Sequence, residues 1–325
     1  MSETAAAPST EWAEHIHDWE DEWHNQVTAD LVEVQNRFNA KYGPGRALHR
    51  RQVAGLSGSV SINPDVPDFV KHGVFIAGAH YDCLIRLSDA GWAINPDAVP
   101  DIHGFAVSMR PVNGPGALGF DTDRQDFLFT ERSSFGFPTS REFGAVVKYG
   151  SQGQAALAKH FISEYGPVQG PLVAAKLATS AVKPFLGFAT ATFNSLVAIR
   201  VGPYAARVQL KPRQTDRNVK AIIGYTDDVK NRLRSAALSY DLQLQFFVDE
   251  ERTPIEDGSV DWPAQVSPYL TVGTLTIPQQ DCDSTQGQQL AERIEADRFD
   301  PWAALEVHRR WARSCGPVTL PTSQA

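Results

Sequence analysis

The sequence predicts an α+β protein, built on a closed antiparallel β-barrel of eight strands with flanking helices. About eight short segments alternate apolar and polar residues in the manner of strands, among them residues 57–62, 83–88 and 242–248. The helical patterns cluster in the middle and at the end of the chain. Strands that dominate the chain, with helices grouped apart from them, are typical of an α+β barrel.

A long amphipathic helix is predicted over residues 10–41, ahead of the barrel. Ser9 or Thr10 would cap its start, and Gly43 would follow its end. Residues 1–9 are expected to be disordered. The apolar residues of the helix recur at intervals of three and four, at Trp12, Ile16, Trp19, Trp23, Val27, Leu31, Val34 and Phe38. The tryptophans would pack on the domain or on a partner subunit, which leaves a homodimer open.

The barrel is assigned to residues 46–280, within a single domain that extends over residues 10–312. Two helices are predicted in its middle, at residues 139–148 and 154–165. Small and apolar residues then fill the stretch 172–192. That stretch is either a buried helix or the wall of an apolar channel, and the second reading would suit an organic substrate.

The C-terminal part, residues 284–312, is predicted to hold two helices. The first covers residues 284–296. The second covers residues 301–312 and has Pro301 in its first turn, where a proline is tolerated because that amide needs no helical partner. Residues 313–325 lack periodicity and are expected to form an irregular tail.

Composition excludes several classes of protein. The chain has 325 residues, of which 42% are hydrophobic and 21% charged, as in ordinary globular proteins. A net charge of −8 argues against a general nucleic-acid surface. The three cysteines, Cys83, Cys282 and Cys315, have no metal-like spacing and suit a reducing compartment. With no secretory signal and no apolar run of membrane-spanning length, the expected location is the cytoplasm.

Arg86 is the first candidate for a functional residue. It lies within the apolar strand pattern of residues 83–88. A guanidinium group in such a position is costly unless an anionic or polar group meets it. Either an internal carboxylate pairs with Arg86, or a bound anionic ligand does, and the two alternatives stay open at this point.

Several short motifs, in order and spacing, resemble the catalase superfamily and in particular its small catalase-like haem proteins, the catalase-related peroxidases. The motifs are GRALHRR at residues 45–51, RLS at 86–88, PDIHGFAV at 100–107, QDFLF at 125–129, FDPW at 299–302 and His308-Arg309. The resemblance extends from Tyr42 to Arg309. It implies a catalase-type barrel, haem b as cofactor, and hydrogen peroxide or an organic hydroperoxide as the small-molecule substrate.

The resemblance also implies roles for four residues. His49 falls on the distal histidine, which moves a proton between the two oxygens of a peroxide. Ser88 matches the serine that hydrogen-bonds and orients that histidine. Arg46 and Arg86 match arginines that hold the haem propionates, since buried carboxylates need cationic donors. The competing interpretation is structural, with a hydrogen-bonded histidine at a strand start and arginines in internal ion pairs.

Two features depart from the family pattern. Glu131 stands near the position of a distal asparagine, and a carboxylate there could act as a second acid or base. Catalase-like proteins bind iron through a tyrosine near the C-terminus, but no tyrosine follows Tyr269 here. Cys315 is the candidate replacement, because Arg310 and Arg313 would favour its thiolate. A different tyrosine could serve instead, or the chain binds no haem.

Two functions from different classes therefore remain. The first is a haem-dependent peroxidase or catalase-like oxidoreductase that acts on a peroxide. The second is a haem-free catalase-fold protein, which has lost the iron ligand and serves as a small-molecule-binding or scaffold protein. A specialised biosynthetic enzyme that uses the same pocket without peroxide chemistry is a third reading.

Overall fold

The computed structural model describes residues 6–136, 140–181, 184–216 and 219–310. Its helices are α1 (Glu20–Tyr42), α2 (Ser140–Gly150), α3 (Gln154–Ala181), α4 (Tyr225–Ser235) and α5 (Thr285–Ala296). Its strands are β1 (Arg51–Ile62), β2 (His80–Asp89), β3 (His103–Arg110), β4 (Gly114–Pro115), β5 (Asp121–Thr122), β6 (Gln125–Thr130), β7 (Phe193–Asn194), β8 (Ile199–Val201), β9 (Tyr204–Pro212), β10 (Leu238–Phe246) and β11 (Leu270–Ile277).

Eight antiparallel strands close into a barrel in the order β10-β11-β1-β2-β3-β6-β7-β9, and β9 pairs with β10 to complete the ring. β8 adds to the free edge of β9, and β4 and β5 form a separate two-stranded ribbon. The predicted α+β fold with a closed eight-stranded antiparallel barrel is confirmed. None of the helices in the described part of the chain combines the length and apolar character that a bilayer crossing requires.

Aromatic rings fill the centre of the core. Phe105 on β3, Phe193 on β7 and Tyr240 on β10 are buried, and the Phe105 ring centroid lies 5.1 Å from that of Phe193 and 5.4 Å from that of Tyr240. The Tyr240 hydroxyl donates a 2.8 Å hydrogen bond to the carbonyl of Phe188. The barrel interior is therefore packed with side chains at this level, as small barrels generally are.

The N-terminal helix begins at Glu20, later than the predicted start near Ser9. The amides of Ala6 and Ser9 donate to the carbonyls of Val266 and Phe247, and the Trp12 indole donates to the carbonyl of Pro203. These bonds hold residues 6–12 against the domain, so Trp12 serves as an anchor and not as a helical residue. Of the segment expected to be disordered, residues 1–5 lie outside the described range.

The predicted helix over residues 301–312 is not formed in its described part. Residues 301–310 consist of turns and a short 3₁₀ helix, Glu306–His308. Their backbone is bonded to the barrel instead, because the carbonyl of Ala303 accepts from Asp126 and that of Ala304 accepts from Ala117. The amide of Leu305 donates to the Gln125 side chain. These bonds take the carbonyls of Ala303 and Ala304 and the amide of Leu305 out of a helical ladder.

The stretch 172–192 is not one buried helix where the structure describes it. Leu172 lies on α3 with 59% of its surface exposed, and the nearby Val168 is 71% exposed. Past the end of α3, Phe188 is buried in the barrel core outside any helix. The apolar character of the stretch therefore has two sources, an exposed helix and a core segment, and it carries no argument for an organic substrate.

His308 is a core residue with both ring nitrogens in use. Its Nε2 accepts the amide of Val74 at 2.9 Å, and its Nδ1 lies 3.0 Å from the carbonyl oxygen of Arg200. The carbonyl fixes the proton on Nδ1, so the ring is a neutral bridge between two chain segments. Burial lowers the pKa of His308 from 6.5 to about 4.

We expect the unfolding free energy of the His308→Gln variant to lie furthest below that of the parent protein above pH 6.5. There the parent keeps both ring bonds, whose loss costs about 1–3 kcal/mol. Below pH 6.5 the unfolded chain takes up a proton that the folded chain refuses until about pH 4. The parent therefore loses about 3 kcal/mol as the pH falls through this window, at about 1.4 kcal/mol per pH unit, and its advantage over His308→Gln in unfolding free energy shrinks.

Urea unfolding of both proteins at several pH values measures this change. His80→Gln is the matched control, because His80 is exposed and its Nδ1 bonds only the Ser61 hydroxyl. If the difference in unfolding free energy between the parent and His308→Gln stays constant from neutral pH to about pH 4, His308 is not held neutral by burial.

Candidate active site

The candidate site lies where the loop before β1 crosses the adjoining ends of β2 and β3. Ser88 on β2 is opposite Gly104 on β3 in the antiparallel register. The amide of His49 donates to the carbonyl of Ala90, just beyond the end of β2, at 2.9 Å. This bond places the His49 side chain over the Ser88–Gly104 pair.

His49 and Ser88 form the hydrogen-bonded pair that the resemblance implies. His49 Nδ1 lies 3.0 Å from Ser88 Oγ. The backbone of His49 has a φ of 51°, a conformation that residues other than glycine rarely adopt. The Nη2 of Arg86 donates to the carbonyl of His49 at 2.8 Å, and this bond stabilises the backbone conformation of His49. Two residues of β2, Ser88 and Arg86, thus fix the imidazole in one orientation.

Gly104 makes room for the imidazole. A methyl group at this position would lie 2.5 Å from His49 Nδ1 and 2.7 Å from Ser88 Oγ, well inside van der Waals contact. The glycine of the PDIHGFAV segment is therefore required by the close approach of His49 to β3. This requirement was not part of the sequence prediction, although a glycine within an apolar strand is a signal of such close approach.

The surroundings keep His49 neutral. Burial, followed by the positive charges of Arg86 and Arg46, lowers the pKa of His49 from 6.5 to about 3. No described residue hydrogen-bonds its Nε2. When the ring proton is on Nδ1 and is donated to Ser88, the Nε2 lone pair is available to accept a proton from a bound molecule.

Arg46 and Arg86 meet on one carboxylate, that of Glu295 in α5. Arg46 Nη1 lies 2.5 Å from Glu295 Oε1, and Arg86 Nε lies 2.8 Å from Glu295 Oε2. Arg46 also donates to the carbonyls of Glu295 and Asp297 at 3.0 and 2.7 Å. Of the two alternatives for Arg86, an internal carboxylate is thus present. Glu295 was not among the predicted site residues.

Glu295 neutralises only one of the two arginines, which leaves an excess of positive charge beside His49. Two guanidinium groups share a single carboxylate, and Arg86 is only 3% exposed. Burial and the nearby Arg46 lower the pKa of Arg86 to about 10, which still leaves it charged at neutral pH. None of the described hydrogen bonds uses Arg86 Nη1. The cluster can therefore accept a further anionic group.

Glu131 contacts His103 and Arg132, and not His49. Its Oε2 accepts the backbone amide of His103 at 2.7 Å, and its Oε1 lies 3.2 Å from Arg132 Nε. No described contact joins Glu131 to His49. These partners give Glu131 a structural position at the start of β3, and a role as second acid or base remains a prediction.

His103 is a buried core residue at the start of β3. Its ring stacks on Phe185 with centroids 3.7 Å apart, and its Nδ1 lies 3.6 Å from Glu131 Oε1. Its Nε2 lies 3.9 Å from Asp89 Oδ1, while the Tyr225 hydroxyl and Arg51 both bond the Asp89 carboxylate. The end of β2 next to Ser88 is therefore anchored by a buried polar network.

The expected iron ligand is not part of the described structure. Cys315 lies outside the described residues, so its position is a prediction only. Among the described residues, no group of three or more histidine, cysteine, aspartate or glutamate side chains is arranged to hold a metal ion.

Comparison with solved structures identifies the fold. A fungal catalase matches with a TM-score of 0.65 and 17% identity over 90% of this chain and 60% of its own. Catalase A from Saccharomyces cerevisiae matches with a TM-score of 0.57 and 16% identity, over 89% of this chain and 61% of its own. A bacterial catalase matches with a TM-score of 0.51 and 16% identity, over 100% of this chain and 67% of its own.

The chain therefore has the catalase fold, and the catalase-type barrel implied by its motifs is confirmed. It spans 60% and 61% of the fungal and yeast catalase chains. No protein-family model and no curated protein sequence matches it. At identities of 16–17% the comparison establishes the architecture, and the activity has to be argued from the site.

The neutral state of His49 can be measured by following its ring resonances by NMR during an acid titration. We expect the His49 signals, assigned with His49→Gln, to stay in the neutral form down to about pH 4, because burial and two arginines oppose protonation and set its pKa at about 3. A titration midpoint near 6.5 would show that the imidazole is solvated and not enclosed as described.

Gly104→Ala should displace the imidazole. Because the added methyl would meet His49 Nδ1 at 2.5 Å, we expect a loss of about 1–3 kcal/mol in unfolding free energy and a changed His49 titration. Gly258→Ala is the matched control, since Gly258 is buried and its added methyl would lie at an ordinary 3.5 Å from Phe135. Equal effects of the two substitutions would argue against the packing of His49 on Gly104.

Proposed function

We propose that this catalase-fold chain is a haem-dependent oxidoreductase that acts on hydrogen peroxide or an organic hydroperoxide. The observation that carries the proposal is the hydrogen-bonded pair of the half-buried His49 and the buried Ser88, 3.0 Å apart, above Gly104. A strained backbone, a serine partner and a neutral ring are more than a structural histidine needs. They suit an imidazole that exchanges a proton through Nε2.

The chemistry of the chain's own residues follows from that geometry. Neutral His49 would accept the proton of a bound hydroperoxide at Nε2 and return it to the other oxygen. Ser88 would hold the ring in one orientation throughout. Arg46 and Arg86 raise the acidity of the imidazolium, so the proton stays on His49 only briefly. Haem, when bound, would supply the iron centre at which the oxygen–oxygen bond is broken.

Haem needs a distal base, cations for its propionates and an iron ligand, and the described residues offer candidates for the first two. His49 provides the distal base. The two arginines have charge and N–H donors left for one carboxylate group, because Glu295 neutralises only one of them. A second propionate would have to share these donors with Glu295. The role of iron ligand falls to Cys315 or to another residue and rests on the sequence prediction alone.

A haem-free binding or scaffold function is the second candidate, and one observation favours it. Both proposed propionate arginines already bind Glu295, at 2.5 and 2.8 Å. In this case the ion pair of Glu295 with Arg46 and Arg86 would be purely structural, and His49 would have no catalytic role.

A cytoplasmic location belongs to either proposal. Cys83 and Cys282, the two cysteines among the described residues, are free thiols. Free thiols are usual in a reducing compartment, where disulfides do not persist.

The proposal predicts a Soret band when the full chain is purified after expression with a haem precursor. Arg86→Leu should weaken haem binding by about tenfold or more, because the buried cation that faces a propionate is lost. Glu295→Gln should strengthen it, since the amide no longer competes for the two guanidinium groups. Titration with haemin, followed by absorbance, measures all three proteins.

The control is Arg37→Leu, which removes an exposed arginine of α1 paired only with Glu33 in its own helix and Ser151. If the parent protein and Glu295→Gln both stay colourless with added haemin, the enzyme proposal fails and the haem-free reading stands. If haem binds, His49→Gln should abolish peroxide turnover while the Soret band persists, and Cys315→Ser should shift the band when the thiolate is the ligand.

A further inference from the structure

A polar cavity lies in a part of the barrel away from the His49 site. It has a volume of about 130 Å³ and is formed by β7, β9, β10 and the segment that leads into β11. The residues that matter for its chemistry are Asn194, Arg207, Gln245, Asp261, Trp262 and Tyr269. Neither His49, Arg46 nor Arg86 lines it.

Arg207 faces this cavity as a buried cation with no carboxylate partner. It is 6% exposed and forms no ion pair within 4.0 Å among the described residues, while Asp261 and Asp257 act on its charge from a greater distance. Arg86, which is buried to a similar extent, has such a partner in Glu295. Burial lowers the pKa of Arg207 to about 10, so it is charged at neutral pH. An unpaired buried charge is costly, and its presence indicates that something else supplies the anion.

The guanidinium group leaves one edge free. Nη1 donates to the carbonyl of Val260 at 2.8 Å, whereas Nη2 makes only a long contact of 3.4 Å with the carbonyl of Asp257. Nε has no hydrogen-bond partner among the described residues. The edge formed by Nε and Nη2 is the one that binds both oxygens of a carboxylate side by side.

The other walls of the cavity fix the guanidinium and limit the size of a ligand. The Arg207 guanidinium lies over the Trp262 ring, 4.6 Å from its centroid, which fixes its plane. Gln245 donates from Nε2 to the carbonyls of Trp262 and Ser267, so its Oε1 is left for the cavity. Asp261 is exposed, where water screens its charge. The volume suits several waters or a small organic anion.

We propose that this cavity binds a small organic carboxylate, of about the size of acetate or propionate, through the Nε–Nη2 edge of Arg207. The carboxylate supplies the missing counter-charge, and the Trp262 ring packs against the short hydrocarbon part. A proton donor on the ligand can bond Gln245 Oε1. This site is independent of haem, and its success or failure leaves the proposal for His49 untouched.

Thermal unfolding of the full chain with sodium propionate tests the site, at an ionic strength held constant with sodium chloride. We expect a saturable rise in Tm of about 2 °C or more in the millimolar range, because a ligand of the folded state stabilises it. Propionamide, which has the same shape and no charge, should give no such rise. Sodium phosphate at the same ionic strength tests whether an inorganic anion serves equally well.

Arg207→Met should abolish the propionate effect, and Arg207→Lys should weaken it, because a lysine keeps the charge but loses the two-point contact. Arg213→Met is the matched control, since Arg213 is half exposed and already paired with Asp241. Titration calorimetry with propionate should agree with the shift in Tm for each protein. If Arg207→Met does not fold, the contrast between propionate and propionamide in the parent protein decides.

Three results would overturn the proposal. The first is an equal effect of propionate, propionamide and chloride on the parent protein. The second is a propionate effect that persists in Arg207→Met. The third is a stronger effect of phosphate than of propionate, which would assign the cavity to an inorganic anion.

Discussion

The ion pair of Glu295 with Arg46 and Arg86 is the interaction on which the candidate site depends. It joins the C-terminal helix α5 to the barrel strand β2 and to the loop that carries His49. Arg86 is buried in an apolar strand, where an unpaired guanidinium would be several kcal/mol less stable than in water. The carboxylate of one helix residue therefore makes the placement of Arg86 tolerable, and Arg86 in turn holds the carbonyl of His49.

Helix α5 packs close to the barrel, and this brings Glu295 within bonding distance of Arg46 and Arg86. Gly55 on β1 has no side chain, and a methyl group there would lie 2.7 Å from the Cα of Ala291. Gln52 on the same strand donates to the carbonyl of Ala291 at 3.0 Å. Helix α5 starts at a serine cap, Ser284, which fixes its beginning. Two glycines, Gly55 under α5 and Gly104 under His49, thus create the space in which the charged groups meet.

The sequence was sufficient for the barrel and for the contact between His49 and Ser88, for reasons that can be named. Alternation of apolar residues is a local property of strands, so the barrel was predictable from periodicity and its catalase type from the motifs. Arg86 was identified because a cation in an apolar strand requires a partner. Glu295 was missed because the identity of that partner depends on long-range packing, which places a helix residue 209 positions away beside β2.

The failures in secondary structure have a common cause. The tryptophan spacing before α1 and the proline-led pattern after Phe299 both satisfy the rules of a helix. In the structure, the backbone groups of both segments are bonded to the barrel, at Val266 and Phe247 in the first case and at Gln125 in the second. Tertiary hydrogen bonds outweigh a local helical preference that is worth only a fraction of a kcal/mol per residue.

The most direct test of this account is the unfolding free energy of Glu295→Gln, measured in urea beside Glu292→Gln, an exposed neighbour on the same helix. If the carboxylate holds two arginines and α5 on the barrel, the Glu295 variant should lose about 2–4 kcal/mol, less than a fully enclosed pair because Glu295 is partly solvated. The control should change by less than about 0.5 kcal/mol. Equal and small losses in the two variants would show that Glu295 does not organise the site.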